Sequence, residues 1–185
     1  MRKIIVLNIP LALLVSCLIS SCLPETKAPD YNAILESSIA TVNQTKLQED
    51  IIVINDSLNK WVGTGVITGP ILKDSKDVVR YTVQSLGTGP KPTLASYIVI
   101  KYKGNLLTNR TGTPFDQGDN LQIYLHQLII GWQTTLPLLP QGTKATLYIP
   151  SGYAYGSREI RDNNGNITIP SNSILIFEIE ILGVY

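Results

Sequence analysis

Histidine and cysteine, the side chains behind much nucleophilic and metal chemistry, are nearly absent from this chain. His126 is its one histidine, and its two cysteines, Cys17 and Cys22, both fall in the first 22 residues. A Ser-His-Asp triad would have to use His126, and no nucleophile elbow accompanies it. His126 sits between Leu125 and Gln127 and reads as a surface loop residue. A structural zinc site lacks its ligands. Excess charge is missing too. Fifteen Lys and Arg against 14 Asp and Glu leave a net charge of +1, which argues against a nucleic-acid partner gripped through its phosphates. The glycine pairs of Gly63-Thr64-Gly65 and Gly87-Thr88-Gly89 lack the dinucleotide-binding spacing and read as turns. No cofactor is implied.

The apolar share of 44% over 185 residues is enough for a packed core plus an extension. The chain starts with a targeting pattern. Arg2 and Lys3 precede an apolar stretch from Ile4 to Ile19, interrupted by Asn8 and Pro10. That stretch is shorter than the roughly 20 apolar residues of a membrane span. Small residues precede Cys17 in Leu-Val-Ser-Cys and Cys22 in Ile-Ser-Ser-Cys. This resembles a bacterial lipoprotein signal over residues 1–22, with Cys22 the favoured lipidation site and Cys17 the alternative. An ordinary cleaved signal and an uncleaved anchor are the other readings. Lipidation at Cys22 would leave no free thiol in the mature chain. The expected setting is the cell envelope, periplasmic or surface-facing.

Residues 23–32 carry Pro24, Pro29 and mixed charges without periodicity, as a tether does. From residue 33 to 61, Leu35, Ile39, Val42, Leu47, Ile51, Ile54, Leu58 and Trp61 recur mostly at three and four, one face of a helix. The β-branched run 51–54 also suits a strand. Residues 33–79 are therefore read as a mainly helical extension, and residues 33–61 as a possible homodimer contact. Strands are expected at 78–83, 97–103, 121–125, 144–149 and 173–182, from alternation and β-branched content. In the last, Leu175, Phe177, Ile179 and Ile181 face a core, while Glu178 and Glu180 face water. A short helix is expected within 129–139, with Pro137 at its edge. The fold class is α+β: an antiparallel sheet wrapped on a short helix, preceded by the extension.

Several short motifs then follow in one order. They are Gly87-Thr88-Gly89-Pro90-Lys91-Pro92, Val99-Ile100-Lys101-Tyr102-Lys103-Gly104, Phe115-Asp116, Leu128-Ile129-Ile130-Gly131-Trp132, Tyr153-Ala154-Tyr155-Gly156, Ile169-Pro170 and Leu175-Ile176-Phe177-Glu178. Together, over residues 80–185, they resemble the FKBP-type peptidyl-prolyl cis-trans isomerases. Taken singly, each apolar residue among them reads as core and Asp116 as a turn residue.

The resemblance implies an apolar pocket lined by Tyr102, Phe115, Leu121, Leu128, Ile129, Trp132, Tyr155, Ile169 and Phe177, with Trp132 as its floor. It gives Trp132, Phe177, Ile129 and Phe115 the grip on a proline ring. The Tyr155 hydroxyl and the Ile129 amide would hold peptide carbonyls. Asp116 would meet the twisted carbonyl or orient Tyr102. The implied partners are proline-containing segments of exported proteins, and the alternative is a non-catalytic peptide-binding or chaperone module. Three features depart from the family pattern: Leu121 in place of a phenylalanine wall, a shorter segment between Leu125 and Leu128, and a long polar loop over 157–168.

Overall fold

The computed structural model describes residues 28–185; the lipidation signal lies outside the described residues. Helix α1 (Tyr31–Ala40) starts where the Asp30 carboxylate accepts the amides of Asn32 and Ala33. It therefore begins inside the stretch read as tether. Helix α2 (Gln44–Gly63) starts where Asn43 accepts the Lys46 amide. The single helical face expected over 33–61 is thus two helices meeting at an elbow. Thr41 turns its hydroxyl onto the Ser38 carbonyl and Asn43 caps the next helix, so local side-chain bonds outcompete continuation.

The run 51–54 is helical. Leu47, Ile51, Ile54 and Leu58 of α2 are buried, and helical spacing alone puts all of them on one side. Leu47 and Ile51 join the main core, whereas Ile54 and Leu58 pack with Tyr148 and Ile176. At its far end, the Trp61 ring lies 5.9 Å from that of Tyr148 and carries the Arg110 guanidinium 4.9 Å above its centre. The buried apolar face of α2 is therefore packed on the chain's own domain. What stays exposed on the helices is Ile34, Ile52, Val53 and Val62.

The remaining chain forms a six-stranded antiparallel sheet. Its strands are β1 (Leu72–Lys73), β2 (Arg80–Ser85), β3 (Tyr97–Leu106), β4 (Asp116–Tyr124), β5 (Lys144–Ile149) and β8 (Leu175–Val184). Their spatial order is β1-β2-β5-β8-β3-β4. β1 joins the sheet from within the stretch read as extension. A separate hairpin pairs β6 (Ile160–Arg161) with β7 (Ile167–Ile169). Residues 157–168, expected as a polar loop, thus hold one and part of a second short strand. The turn between them is closed by Asp162, whose carboxylate accepts the amides of Asn164 and Asn166.

Helix α3 (Ile130–Thr135) packs on one face of the sheet and runs into a 3-10 turn, Leu136–Leu138, that accommodates Pro137. Alternation along β8 is as expected for Leu175, Phe177, Ile179 and Ile181, all buried, with Glu178 exposed. Ile176 departs from it: it points to the opposite face and is only 4% exposed, because α2 covers that face there.

Candidate functional site

Strand β3 brings Tyr102 to the core face, opposite Ile179 of β8, and Gly104 opposite Phe177. Phe115 enters β4 with its amide on the Gly104 carbonyl, at 2.9 Å. A Cβ built on Gly104 would stand 2.6 Å from Phe115 Cζ and 2.8 Å from Phe177 Cε1. The absence of a side chain there lets both rings close over the strand. Helix α3 supplies Trp132 from the other side.

The rings interlock edge to face. Trp132 and Phe177 lie 5.1 Å apart at 89°, Phe115 and Phe177 5.6 Å apart at 90°, and Tyr102 and Trp132 5.9 Å apart at 77°. Each such pair adds about 0.5–1.5 kcal/mol beyond area burial, so the cluster resists rearrangement. Trp132, Phe177 and Ile169 form its buried base, at 3%, 5% and 3% exposure. Around them Tyr102, Phe115, Leu121, Leu128, Ile129 and Tyr155 are half-buried against the same core.

The polar groups sit on the rim. The Tyr102 hydroxyl donates to Asp116 Oδ2 at 2.7 Å, so the orienting role for Asp116 has a geometric basis. Burial first, then the Asp116 hydrogen bond and charge, push the Tyr102 phenol up to about 12. Burial and the Asp116 charge also raise Tyr155, against a smaller opposing pull from Arg158. Both phenols are therefore protonated donors at neutral pH. The Tyr155 hydroxyl and the Ile129 amide make no hydrogen bond among the described residues. These two donors, and the buried Trp132 Nε1, are thus without a partner at the site among the described residues.

His126 is not a plain surface residue. It is half-buried, stacked on the Tyr31 ring at 3.9 Å, with Nδ1 3.1 Å from the Leu94 carbonyl. A groove of about 880 Å3 runs along β3, β5 and β8, lined by Lys101, Lys144, Glu178 and Glu180 and bordered by Tyr102. Its charges pair across strands, Lys101 with Asp119 at 2.7 Å and Lys144 with Glu180 at 3.4 Å. Of the ring cluster only Tyr102 borders that groove; Trp132, Phe177 and Phe115 do not line it.

Reading by motif passed over Asp50, which is 1% exposed and bonds to Ser151, at the start of the turn that carries Tyr155. The signal was present: Asp50 lies three residues after Leu47 and four before Ile54, on the apolar face of α2.

Comparison with known proteins places the fold. The chain is 32% identical over 117 residues to the FKBP-type peptidyl-prolyl cis-trans isomerase FkpA of Aeromonas hydrophila, covering 61% of this chain and 40% of that protein. It is 31% identical over 110 residues to the outer membrane protein MIP of Legionella longbeachae, covering 57% and 44%. The chain thus spans less than half the length of these curated relatives. Among solved structures, a peptidyl-prolyl cis-trans isomerase from Pseudomonas syringae superimposes with a TM-score of 0.56 at 28% identity, over 86% of this chain and 98% of that one. FkpA from Escherichia coli does so with 0.54 at 28%, over 85% and 74%. The model of the FKBP-type peptidyl-prolyl cis-trans isomerases matches residues 89–182, the span that holds the ring cluster and its rim, and the chain belongs to that family.

Proposed function

We propose that this chain isomerises X-Pro bonds in proteins that fold in the bacterial envelope. The observation that carries the reading is the interlocked Trp132–Phe177–Phe115 ring cluster, with the Tyr102–Asp116 pair and the free Tyr155 hydroxyl on its rim. Rotation about an X-Pro bond takes tens to hundreds of seconds at ~25 °C, because amide resonance holds it with a barrier of about 18–20 kcal/mol. In the twisted transition state resonance is lost and the carbonyl is less dipolar. A site that binds this form better than the planar one lowers the barrier without proton transfer.

Trp132, Phe177, Phe115 and Ile129 receive the proline ring. The Tyr155 hydroxyl and Ile129 amide hold the flanking carbonyls, and Asp116 fixes Tyr102 beside the rotating bond. Leu121, Leu128 and Ile169 complete the wall.

Anchoring is part of the same reading. Lipid on Cys22, or on Cys17, would attach the domain to a membrane. The designation of the Legionella relative as an outer membrane protein supports an envelope setting.

The test is a protease-coupled or NMR-exchange assay with residues 28–185. Clear acceleration of several X-Pro peptides, reduced in Tyr155→Phe and Asp116→Ala, is expected. A folded chain that leaves every peptide at its uncatalysed rate would falsify the reading; peptide binding without turnover would then mark a binding module.

A further inference from the structure

The N-terminal helices do more than cover apolar surface. Asp50 of α2 is buried, yet its carboxylate reaches across to the 3-10 turn Ser151–Tyr153. Its Oδ2 accepts the Ser151 amide at 2.8 Å and the Ser151 hydroxyl at 2.5 Å, and its Oδ1 accepts Lys46 Nζ at 2.6 Å. Ser151 is itself 1% exposed. Its carbonyl then accepts two further amides, those of Ala154 at 3.0 Å and Gly156 at 2.8 Å. These are the two neighbours of Tyr155. The chain of bonds thus runs from an extension carboxylate, through one serine, to both sides of the tyrosine on the site's rim.

A second contact presses on the same turn. A Cβ on Gly152 would lie 2.6 Å from Val42 Cγ1, so the elbow between α1 and α2 sits directly on it. A carboxylate this deeply buried is costly unless fully paired. Here its partners are the lysine one turn earlier and the turn beneath Tyr155.

We propose that Asp50 is a positioning residue of the isomerase site, holding the Ser151–Gly156 turn so that the Tyr155 hydroxyl stays aimed at the substrate carbonyl. On this view the extension is a structural part of the site and not an independent module. The proposal rests on the isomerase reading above.

The experiment uses the full chain in mild detergent. Asp50→Ala removes the carboxylate, and Asp50→Asn keeps its volume and one acceptor for the Ser151 amide. Asp50→Ala is expected to lower kcat/KM for a short Ala-Pro peptide by about tenfold, the scale of a rim donor displaced by a fraction of an ångström. Asp50→Asn falls between Asp50→Ala and the parent chain. In a Tyr155→Phe background, Asp50→Ala is expected to cost less than about twofold further, because the two act through one group. Equal losses in both backgrounds, or no loss from Asp50→Ala, overturn the proposal.

Amide hydrogen exchange gives a readout that needs no catalysis and, through Asp50→Asn, covers the case in which the alanine variant does not fold. Exchange at Ala154 and Gly156 should rise in Asp50→Asn while the β5–β8 amides keep their protection. A uniform rise across the chain marks general destabilisation and overturns positioning. If the parent chain leaves X-Pro bonds uncatalysed, the isomerase reading fails, and the exchange pattern still decides whether Asp50 holds the turn.

Discussion

Replacing Gly104 with alanine tests the construction of the ring cluster. The new methyl carbon would stand 2.6 Å from Phe115 Cζ and 2.8 Å from Phe177 Cε1, against an ordinary carbon contact of about 3.5–4.0 Å. Both rings are then too close, and each must draw back by about 1 Å or the strand must shift. Phe177 has little room, since it is 5% exposed and meets Trp132 edge to face. Phe115 is only half-buried at the rim, so it swings outward. Overpacking of this kind costs about 1–3 kcal/mol. With a urea slope of about 1–3 kcal/mol per molar, the unfolding midpoint should drop by about 1 M. Displacing a wall of the site by about 1 Å should also lower kcat/KM by about 10- to 100-fold. The assay pairs urea unfolding with X-Pro isomerisation, and adds Gly104→Ala with Phe115→Leu, which should recover stability but not activity. A variant with an unchanged midpoint and unchanged kcat/KM would refute the account of why residue 104 is glycine.

Other expectations follow from the extension and the rim. Leu58, 1% exposed between α2 and the sheet, should cost roughly 2–5 kcal/mol when cut to alanine within a single unfolding transition; an early, separate transition for the helices would contradict their integration. The Tyr102 phenol, raised from 10.0 to about 12 in the folded chain, stays neutral where the unfolded phenol ionises. Its contribution is fully present below pH 10 and is lost as pH rises toward 12. Tyr102→Phe should therefore lose less stability across that window, and equal alkaline losses in the two chains would sink the assignment. Sedimentation of residues 28–185 is expected to give a monomer, since the inward face of α2 is already used; a dimer broken by Ile52→Lys would show that the outward side is an interface.

Much of the sheet was legible because its strands carry dense β-branched content and, along most of β8, alternation over a buried face. Lys144–Ile149 matches its expected bounds, and β8 does so apart from its ends. What escaped has a shared physical cause: it depends on side chains bonding locally or at long range. The elbow at residues 41–43 comes from Thr41 and Asn43, whose capping chemistry was readable but competed with an unbroken apolar spacing. The hairpin of β6 and β7 has an Asn164-Gly165 turn signal that its polar composition masked. Asp50 stands out on the apolar face of α2, but its partner, 101 residues away, was not readable. Of the site, the rings were legible in sequence order, whereas the Tyr102–Asp116 bond needed the β3–β4 register.

The sheet order has a consequence for how the molecule comes into being. Strand β8 pairs with β5 on one side and β3 on the other, and so joins β1-β2-β5 to β3-β4, after both groups in sequence. Until residues 175–184 arrive, the chain can form only two partial sheets, each with an unpaired apolar edge. Pairings this distant in sequence are slow to form, so closing the sheet through β8 is the slow step of its assembly, and a chain without residues 175–184 would have two halves with nothing between them.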